Sequence, residues 1–315
     1  MSSLPPSITE LRLQYRSGAL HPREVLQAAL SRANSNAGAN VFLARDPAWT
    51  EREAQRLRPE ALEEQPLWGV PIALKDCFDL QGFLTTSGSK ALAAEREPAT
   101  EDSAVAARLR AAGAVLTGKT HLHQLAYGIT GENPDFGDST QPGAPVLLTG
   151  GSSSGSAASV LEGSAMAAIG TDTGGSVRVP AALCGLLGFR SSITLGTDEL
   201  WTGGEHLAPT FDTLGWLYRD PADGPLLGSA LFGLPRAEAP DVNKLRFGVP
   251  HEPFLEDCDP EVITALNAWA DHLALLGATV ERFDAGLWAN AMQLFAPIQA
   301  SEAAALHPEP RDIFD

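Results

Sequence analysis

The stretch "LWGVPIALKD", Leu67 to Asp76, is apolar at nearly every position until Lys75, so it has no polar face to offer to water. A strand of that kind is buried on both sides, and a chain that contains one must cover a sheet with helices above and below. Lys75 then stands at the end of an inner strand. The neighbouring segments follow the same logic. "TEDSAVAARLRAAGAVLTGKT" predicts a helix from about Ser103 to Ala112, a stop at Gly113 and a short strand from Ala114 to Thr117.

Near the start, Ser7 with Glu10 forms a capping-box pattern ahead of a helix that Gly18 ends. "HPREVLQAALSRAN" then carries Val25, Leu26, Ala29, Leu30 and Ala33 on one stripe. Further on, "KLRFGVP" reads as a strand. Asp259 caps a helix bearing Val262, Leu266, Trp269 and Leu273 that stops before Gly277, and "ATVERF" reads as another strand. Arg219 to Asn243 has the composition of a linker, although "PLLGSALFGL" within it reads equally well as a packed helix.

These elements predict an α/β protein with a central mixed, mostly parallel β-sheet covered by helices. One large domain over residues 1–315 is expected, with N-terminal helices at 7–60, a core at 65–218 and a C-terminal strand–helix–strand part at 244–315.

Composition narrows the function classes. The 315 residues are 44% hydrophobic, which is enough to bury a substantial core. Asp and Glu number 39 against 22 Lys and Arg, a formal net charge of -17 with no basic block. Such a field repels phosphate backbones and anionic membrane surfaces, so neither nucleic acid nor a membrane is an expected direct partner. No run approaches the length of a membrane span, and the start "MSSLPPSITEL" lacks the basic and apolar pattern of a signal peptide. The three cysteines lie far apart without a C-x-x-C pattern. A cytoplasmic location is expected, and association of identical copies is compatible with the sequence.

Several short motifs carry little weight. "GAVLTGKT" matches the phosphate-loop pattern, but its middle positions read as a strand and a helix precedes it, the inverse of the required context. "SGSK", Ser87 to Lys90, fits S-x-x-K without the S-D-N and K-T-G that accompany it in penicillin-recognising enzymes. His121 and His123 have strand spacing for one face, yet no third metal ligand is identifiable nearby and no metal is expected. "GSSSG" fits the nucleophile elbow, with "PVLLT" as its strand and His206, His251, His272 and His307 following. That makes Ser153 the rival nucleophile.

A different constellation is richer. "GTDTGGSVRVP", Gly170 to Pro180, is a polar loop between the apolar runs "AMAAIG" and "AALCGLLGF". A serine that attacks an amide needs a base for its proton and fixed donors for the developing oxyanion. The two glycines ahead of Ser176 free the backbone to turn the N–H groups of Thr173, Gly174, Gly175 and Ser176 toward one point. Histidine is scarce around Ser176, but a lysine whose pKa is lowered by burial serves as a base, and Lys75 alone has that setting. A second serine from "GGSSSGS" has room to stand between them, because "SAASVLEG" makes about two helical turns and "AMAAIG" returns as a strand.

These residues resemble the amidase signature family. The matching runs are "GGSSSGSAASVLEGSAMAAIGTDTGGSVRVPAALCGLLGF", "GVPIALKDCFDLQGFLTTSGS" upstream, "GKTHLHQLAYGITGENPDFG" between, and "LAPTFDTLGW" after. The likeness runs from about Ser7 to Phe283. It implies the amidase signature fold and a Ser-cisSer-Lys triad with Ser176 as nucleophile, Ser152 as bridging serine after a cis peptide bond, and Lys75 as base. It further implies that Ser153 hydrogen-bonds Lys75 and that Asp172 supports the site. Ala126, Tyr127 and Gly128 would line the acyl pocket, and Arg178 would bind a substrate carboxylate or brace the loop.

The sequence also departs from the family. "RSS", Arg190 to Ser192, stands where relatives read Lys-Pro-Thr, "GTDELWTGGEH" replaces the usual continuation, and a C-terminal part shorter than the family's is expected. The expected activity is hydrolysis of a small-molecule amide through an acyl-enzyme, with no cofactor. The alternatives are a glutaminase-type component of a tRNA-dependent amidotransferase, which Val179 in "VRVP" disfavours because that branch reads Gln there, and an inactive binding homologue.

Overall fold

The computed structural model describes residues 4–35, 39–193, 197–235, 240–251 and 254–307. Helix α1 (Ile8–Ser17) starts where Ser7 Oγ accepts the Glu10 N–H at 3.0 Å and ends at Gly18 with φ 71°. Helix α2 (Pro22–Ser35) buries the anticipated stripe of Val25, Leu26, Ala29, Leu30 and Ala33. Strand β1 (Phe42–Ala44) and helix α3 (Pro47–Ala54) lead to strand β2 (Pro71–Lys75), all of whose residues are buried.

Helices α4 (Lys90–Ala94) and α5 (Ala104–Ala111) precede strand β3 (Val115–Thr120), and β4 (Thr140–Gln141) with β5 (Ala144–Leu148) forms a separate antiparallel hairpin. Helix α6 (Ser154–Glu162) leads to strand β6 (Ala167–Thr171), α7 (Arg178–Leu183) to β7 (Leu187–Arg190), and α8 (Thr197–Leu200) to β8 (Leu214–Tyr218). Helix α9 (Gly224–Phe232) resolves the linker ambiguity, since Leu226, Leu227 and Leu231 are buried.

The six strands of the main sheet run in the order β1-β3-β2-β6-β8-β7. β2 pairs in parallel with both β3 and β6, whereas the β1–β3, β6–β8 and β7–β8 ladders are antiparallel. β3, β2, β6 and β7 therefore point one way and β1 and β8 the other, which is the mixed, mostly parallel sheet expected. Successive residues of β2 enter opposite cores: Ile72 and Leu74 pack with Ile169 and Trp216, while Ala73 packs with Ala157, Val177 and Leu217. Pairing of Lys75 with Thr120 and of Leu74 with Ile169 brings the C-terminal ends of β2, β3 and β6 to one sheet edge. Loops leaving that edge are where an open α/β sheet places its chemistry.

This body, Met1–Arg236 with Glu302–Asp315, is one compact unit, and Ala237–Ser301 is a second. The second unit contains β9 (Arg246–Pro250), α10 (Pro260–Leu275) and β10 (Thr279–Phe283), with the two strands paired in parallel from Arg246–Thr279 to Pro250–Phe283. Its elements lie where the sequence predicts them, but Val262 and Trp269 of α10 are exposed. Helix α11 (Ala291–Leu306) follows.

Candidate active site

Lys75 ends β2 with no exposed surface, and its Nζ donates to Ser152 Oγ at 2.7 Å and to Thr171 Oγ1 at 2.7 Å. Burial pushes its pKa down to about 8, opposed by Cys77, Asp212 and Asp172. Cys77 opposes it only as a thiolate, and burial raises that thiol to about 12, so the two carboxylates provide the opposition at neutral pH.

Ser152 follows a cis peptide bond from Gly151. Its carbonyl accepts the His123 N–H at 3.1 Å, and the next residue, Ser153, donates its N–H to the Ser176 carbonyl at 3.1 Å, which ties the serine-rich turn to the glycine loop. The expected Ser153–Lys75 hydrogen bond is replaced by another arrangement. Ser153 precedes α6 without a side-chain capping bond, and its Oγ lies 3.3 Å from both the N and the O of Thr171, while the Thr171 hydroxyl takes the position facing Lys75. Gly170 makes room for this, since a Cβ there would lie 2.5 Å from Ser153 Oγ.

Asp172 organises the loop that carries Ser176. Its buried carboxylate accepts the N–H groups of Gly175 at 2.8 Å, Val177 at 3.2 Å and Arg178 at 3.2 Å. The Arg178 guanidinium adds Nε at 3.0 Å and Nη2 at 2.8 Å. Burial works against the charge on Asp172, but the bonds from Arg178 outweigh it and hold the carboxyl below its usual range. The Gly175 N–H, expected to face an oxyanion, is thus committed to Asp172. Those of Thr173, Gly174 and Ser176 donate to no protein acceptor among the described residues. Arg178 braces the loop, with its side chain half exposed.

Asp212 holds the other side of the loop, accepting Thr173 Oγ1 at 2.5 Å and His206 Nδ1 at 2.9 Å. Ala126 belongs to a turn in which it and Leu125 have φ of 60° and 53°, with Tyr127 and Gly128 following, and the Ala126 N–H donates to the His123 carbonyl at 2.8 Å. The imidazole of His123 fills the space beside Gly128, where a Cβ would come within 2.2 Å of Nε2. That segment therefore connects to Ser152 through His123.

The short motifs are structural. Lys119 lies inside β3 and pairs with the buried Asp76 at 2.6 Å, so "GAVLTGKT" is strand and not a phosphate loop. Ser89 caps α4, and the Lys90 ammonium sits 5.7 Å from the centre of the Phe136 ring. His121 is held by Ser154 Oγ at 2.8 Å and the Gly137 carbonyl at 2.8 Å. Among the described residues no group of three or more His, Cys, Asp or Glu is placed to hold a metal ion. The strand expected before an elbow belongs to the exposed hairpin, with Val146 91% exposed, and Ser153 Oγ is taken up by β6. No helix among the described residues is long and apolar enough to cross a membrane.

Nothing in the sequence marks Thr171 or Asp212 as site residues, and His206 enters there only as one of the histidines that follow "GSSSG". Thr171 ends the apolar run before the glycine loop, but only the parallel register of β6 on β2 turns it toward Lys75.

Comparison with known proteins follows the same line. A glutamyl-tRNA(Gln) amidotransferase subunit of Geobacter sulfurreducens is 38% identical over 85% of this chain and 59% of its own length. The corresponding subunit of Lachnospira eligens is 33% identical over 96% of this chain and 66% of its own. The chain thus spans about three-fifths to two-thirds of the length of these curated relatives. A crystal structure of an amidase superposes with a TM-score of 0.85 at 33% identity, covering 96% of this chain and 68% of that one. A 6-aminohexanoate cyclic dimer hydrolase does so with a TM-score of 0.76 at 26% identity, covering 97% and 68%. The sequence profile of the Amidase family matches residues 24–309, and the chain belongs to that family, within the amidase signature group.

Proposed function

We propose that this chain hydrolyses a carboxylic amide of a small molecule through an acyl-enzyme on Ser176. The observation that carries the reading is the fully buried Lys75 amine, 2.7 Å from Ser152 Oγ, on a turn hydrogen-bonded to the loop of Ser176. Neutral Lys75 takes a proton from Ser152 as Ser152 takes one from Ser176, whose oxygen attacks the carbonyl carbon. The resulting oxyanion is met by the N–H groups of Thr173, Gly174 and Ser176. The proton returns by the same two groups to the departing nitrogen, so ammonia or an amine leaves. Water then enters by the same route and releases the acid. Thr171 holds the Lys75 amine in line with Ser152, and Asp172 with Arg178 keeps the loop in shape. No cofactor takes part.

A second reading is favoured by the two relatives named as parts of a glutamyl-tRNA(Gln) amidotransferase. The same chemistry on glutamine would then supply ammonia to a partner, and the association would be with other polypeptides of such an assembly.

A fluorophosphonate probe tests the chemistry, because it reacts with an activated serine and leaves a mass label. Wild type is expected to be labelled at Ser176, and Ser176→Ala and Lys75→Met to be unlabelled. Labelling at Ser153, or none in wild type, overturns the reading. Ammonia release from benzamide and from glutamine separates the two versions.

A further inference from the structure

His206 closes the segment "GTDELWTGGEH", which departs from the usual amidase continuation, and its surroundings tie it to the Ser176 loop. Its ring stacks on Trp201 with centroids 4.2 Å apart and planes at 23°. Nδ1 faces the Asp212 carboxylate at 2.9 Å, so that nitrogen carries the hydrogen. The same Asp212 oxygen accepts the N–H groups of Leu207 at 2.9 Å and Ala208 at 3.1 Å, and the other oxygen accepts Thr173 Oγ1 at 2.5 Å.

The segment is fastened beside the catalytic lysine's strand. Glu205 donates its N–H to the Cys77 carbonyl at 2.8 Å, Gly204 bridges to Phe78, and the Trp201 and Phe78 ring centres are 5.5 Å apart. Thr173 is thus held from two sides, with its backbone in the Ser176 loop and its hydroxyl on a carboxylate that His206 helps to fix.

We propose that His206 is a positioning residue. Through Asp212 it sets the Thr173 hydroxyl, and with it the direction in which the Thr173 N–H points at the oxyanion. The inference rests on the amide-hydrolase reading above. Burial opposes the charge on Asp212, and the hydrogen bonds of His206 and Thr173 hold its carboxyl below the usual range. Without His206 the carboxylate loses its side-chain partner on that oxygen and is no longer fixed in the rotamer that meets the Thr173 hydroxyl.

The test is the rate of fluorophosphonate labelling at Ser176, resolved into probe affinity and maximal rate, because the probe's phosphoryl oxygen uses the oxyanion donors. His206→Ala is expected to lower the maximal rate about tenfold with affinity unchanged, less than the loss of a whole oxyanion donor. His206→Asn, whose amide nitrogen stands near the place of Nδ1, is expected to recover the rate to within about twofold. Wild-type rate in His206→Ala, or equal slowing in His206→Asn at unchanged Tm, overturns the proposal. Should His206→Ala fail to fold, His206→Gln replaces it: a slower rate than His206→Asn supports the proposal and an equal rate overturns it. An unlabelled wild type refutes the amide-hydrolase reading itself, which keeps the two failures apart.

Discussion

The carboxylate of Asp172 takes the main-chain N–H of Gly175 at 2.8 Å, so one glycine of the double-glycine loop serves the loop's own shape and the other is left open. Asparagine at position 172 would turn an N–H₂ group toward N–H donors that now meet oxygen. Asp172→Asn is expected to lose about 3 kcal/mol in urea unfolding and to slow labelling of Ser176 about a hundredfold. Arg178→Met keeps the main-chain donors and removes a half-exposed guanidinium, so its loss should be about 1 kcal/mol. Equal losses in the two variants would show that the ion pair, and not the loop, is what Asp172 serves.

The base of the proposed relay acts only when neutral. The labelling rate of Ser176 is therefore expected to rise as pH climbs through about 8 and then level off. Thr171→Val removes a hydroxyl that accepts from the ammonium and favours it, so the limb should move about one unit toward lower pH. An unmoved limb would separate Thr171 from the titration. The linkage has the same sign: between about 8 and 10.5 the native state binds fewer protons than the unfolded chain, so this group's contribution to stability grows as pH rises through that window.

His121 predicts an acid-sensitive fold. Burial lowers its pKa from 6.5 to about 4, outweighing the hydrogen bond to the Gly137 carbonyl, which favours the charged ring, and Ser154 Oγ lies 2.8 Å from Nδ1. The stabilisation is complete above 6.5 and is lost as pH falls toward 4, roughly 3 kcal/mol in all. Urea midpoints measured from pH 7 to 4 should fall less steeply in His121→Gln than in wild type, and parallel slopes would contradict the assignment.

Gly155 has its own consequence. A Cβ there would lie 2.1 Å from the Val41 carbonyl oxygen and 2.5 Å from the His121 nitrogen, both backbone atoms that cannot step aside. Gly155→Ala is expected to cost about 3 kcal/mol of stability by thermal or urea unfolding, whereas Gly143→Ala, with open space around it but φ of 85°, should cost about 1 kcal/mol. The second glycine of "GSSSG" thus serves the seating of α6, which the elbow pattern alone would not suggest.

Local order was the part most open to reading from sequence. The two-sided apolar run became the buried β2, the Ser7–Glu10 pattern became a capped helix, and the ambiguous "PLLGSALFGL" packed because its leucines recur at helical spacing. A buried Lys75 at a strand end follows from the same run. What stayed hidden depends on register and on which atom wins a shared donor. The parallel pairing of β6 with β2 puts Thr171, not Ser153, on Lys75, and no periodicity encodes that pairing. The capture of Gly175 N–H by Asp172 and the joining of Thr173 to Asp212 are choices among several polar groups in one small volume. "PVLLT" has the apolar character of an inner strand yet lies on an exposed hairpin, because apolar character alone does not say which sheet a strand joins.

The place of β2 in the middle of the sheet, flanked by β3 and β6, has a last consequence for how this molecule fails. Fraying begins at edges, so the strand that carries Lys75 opens only when the central ladders part. Amide protons of Ile72 to Leu74 should exchange with solvent more slowly than those of the edge strands β1 and β7.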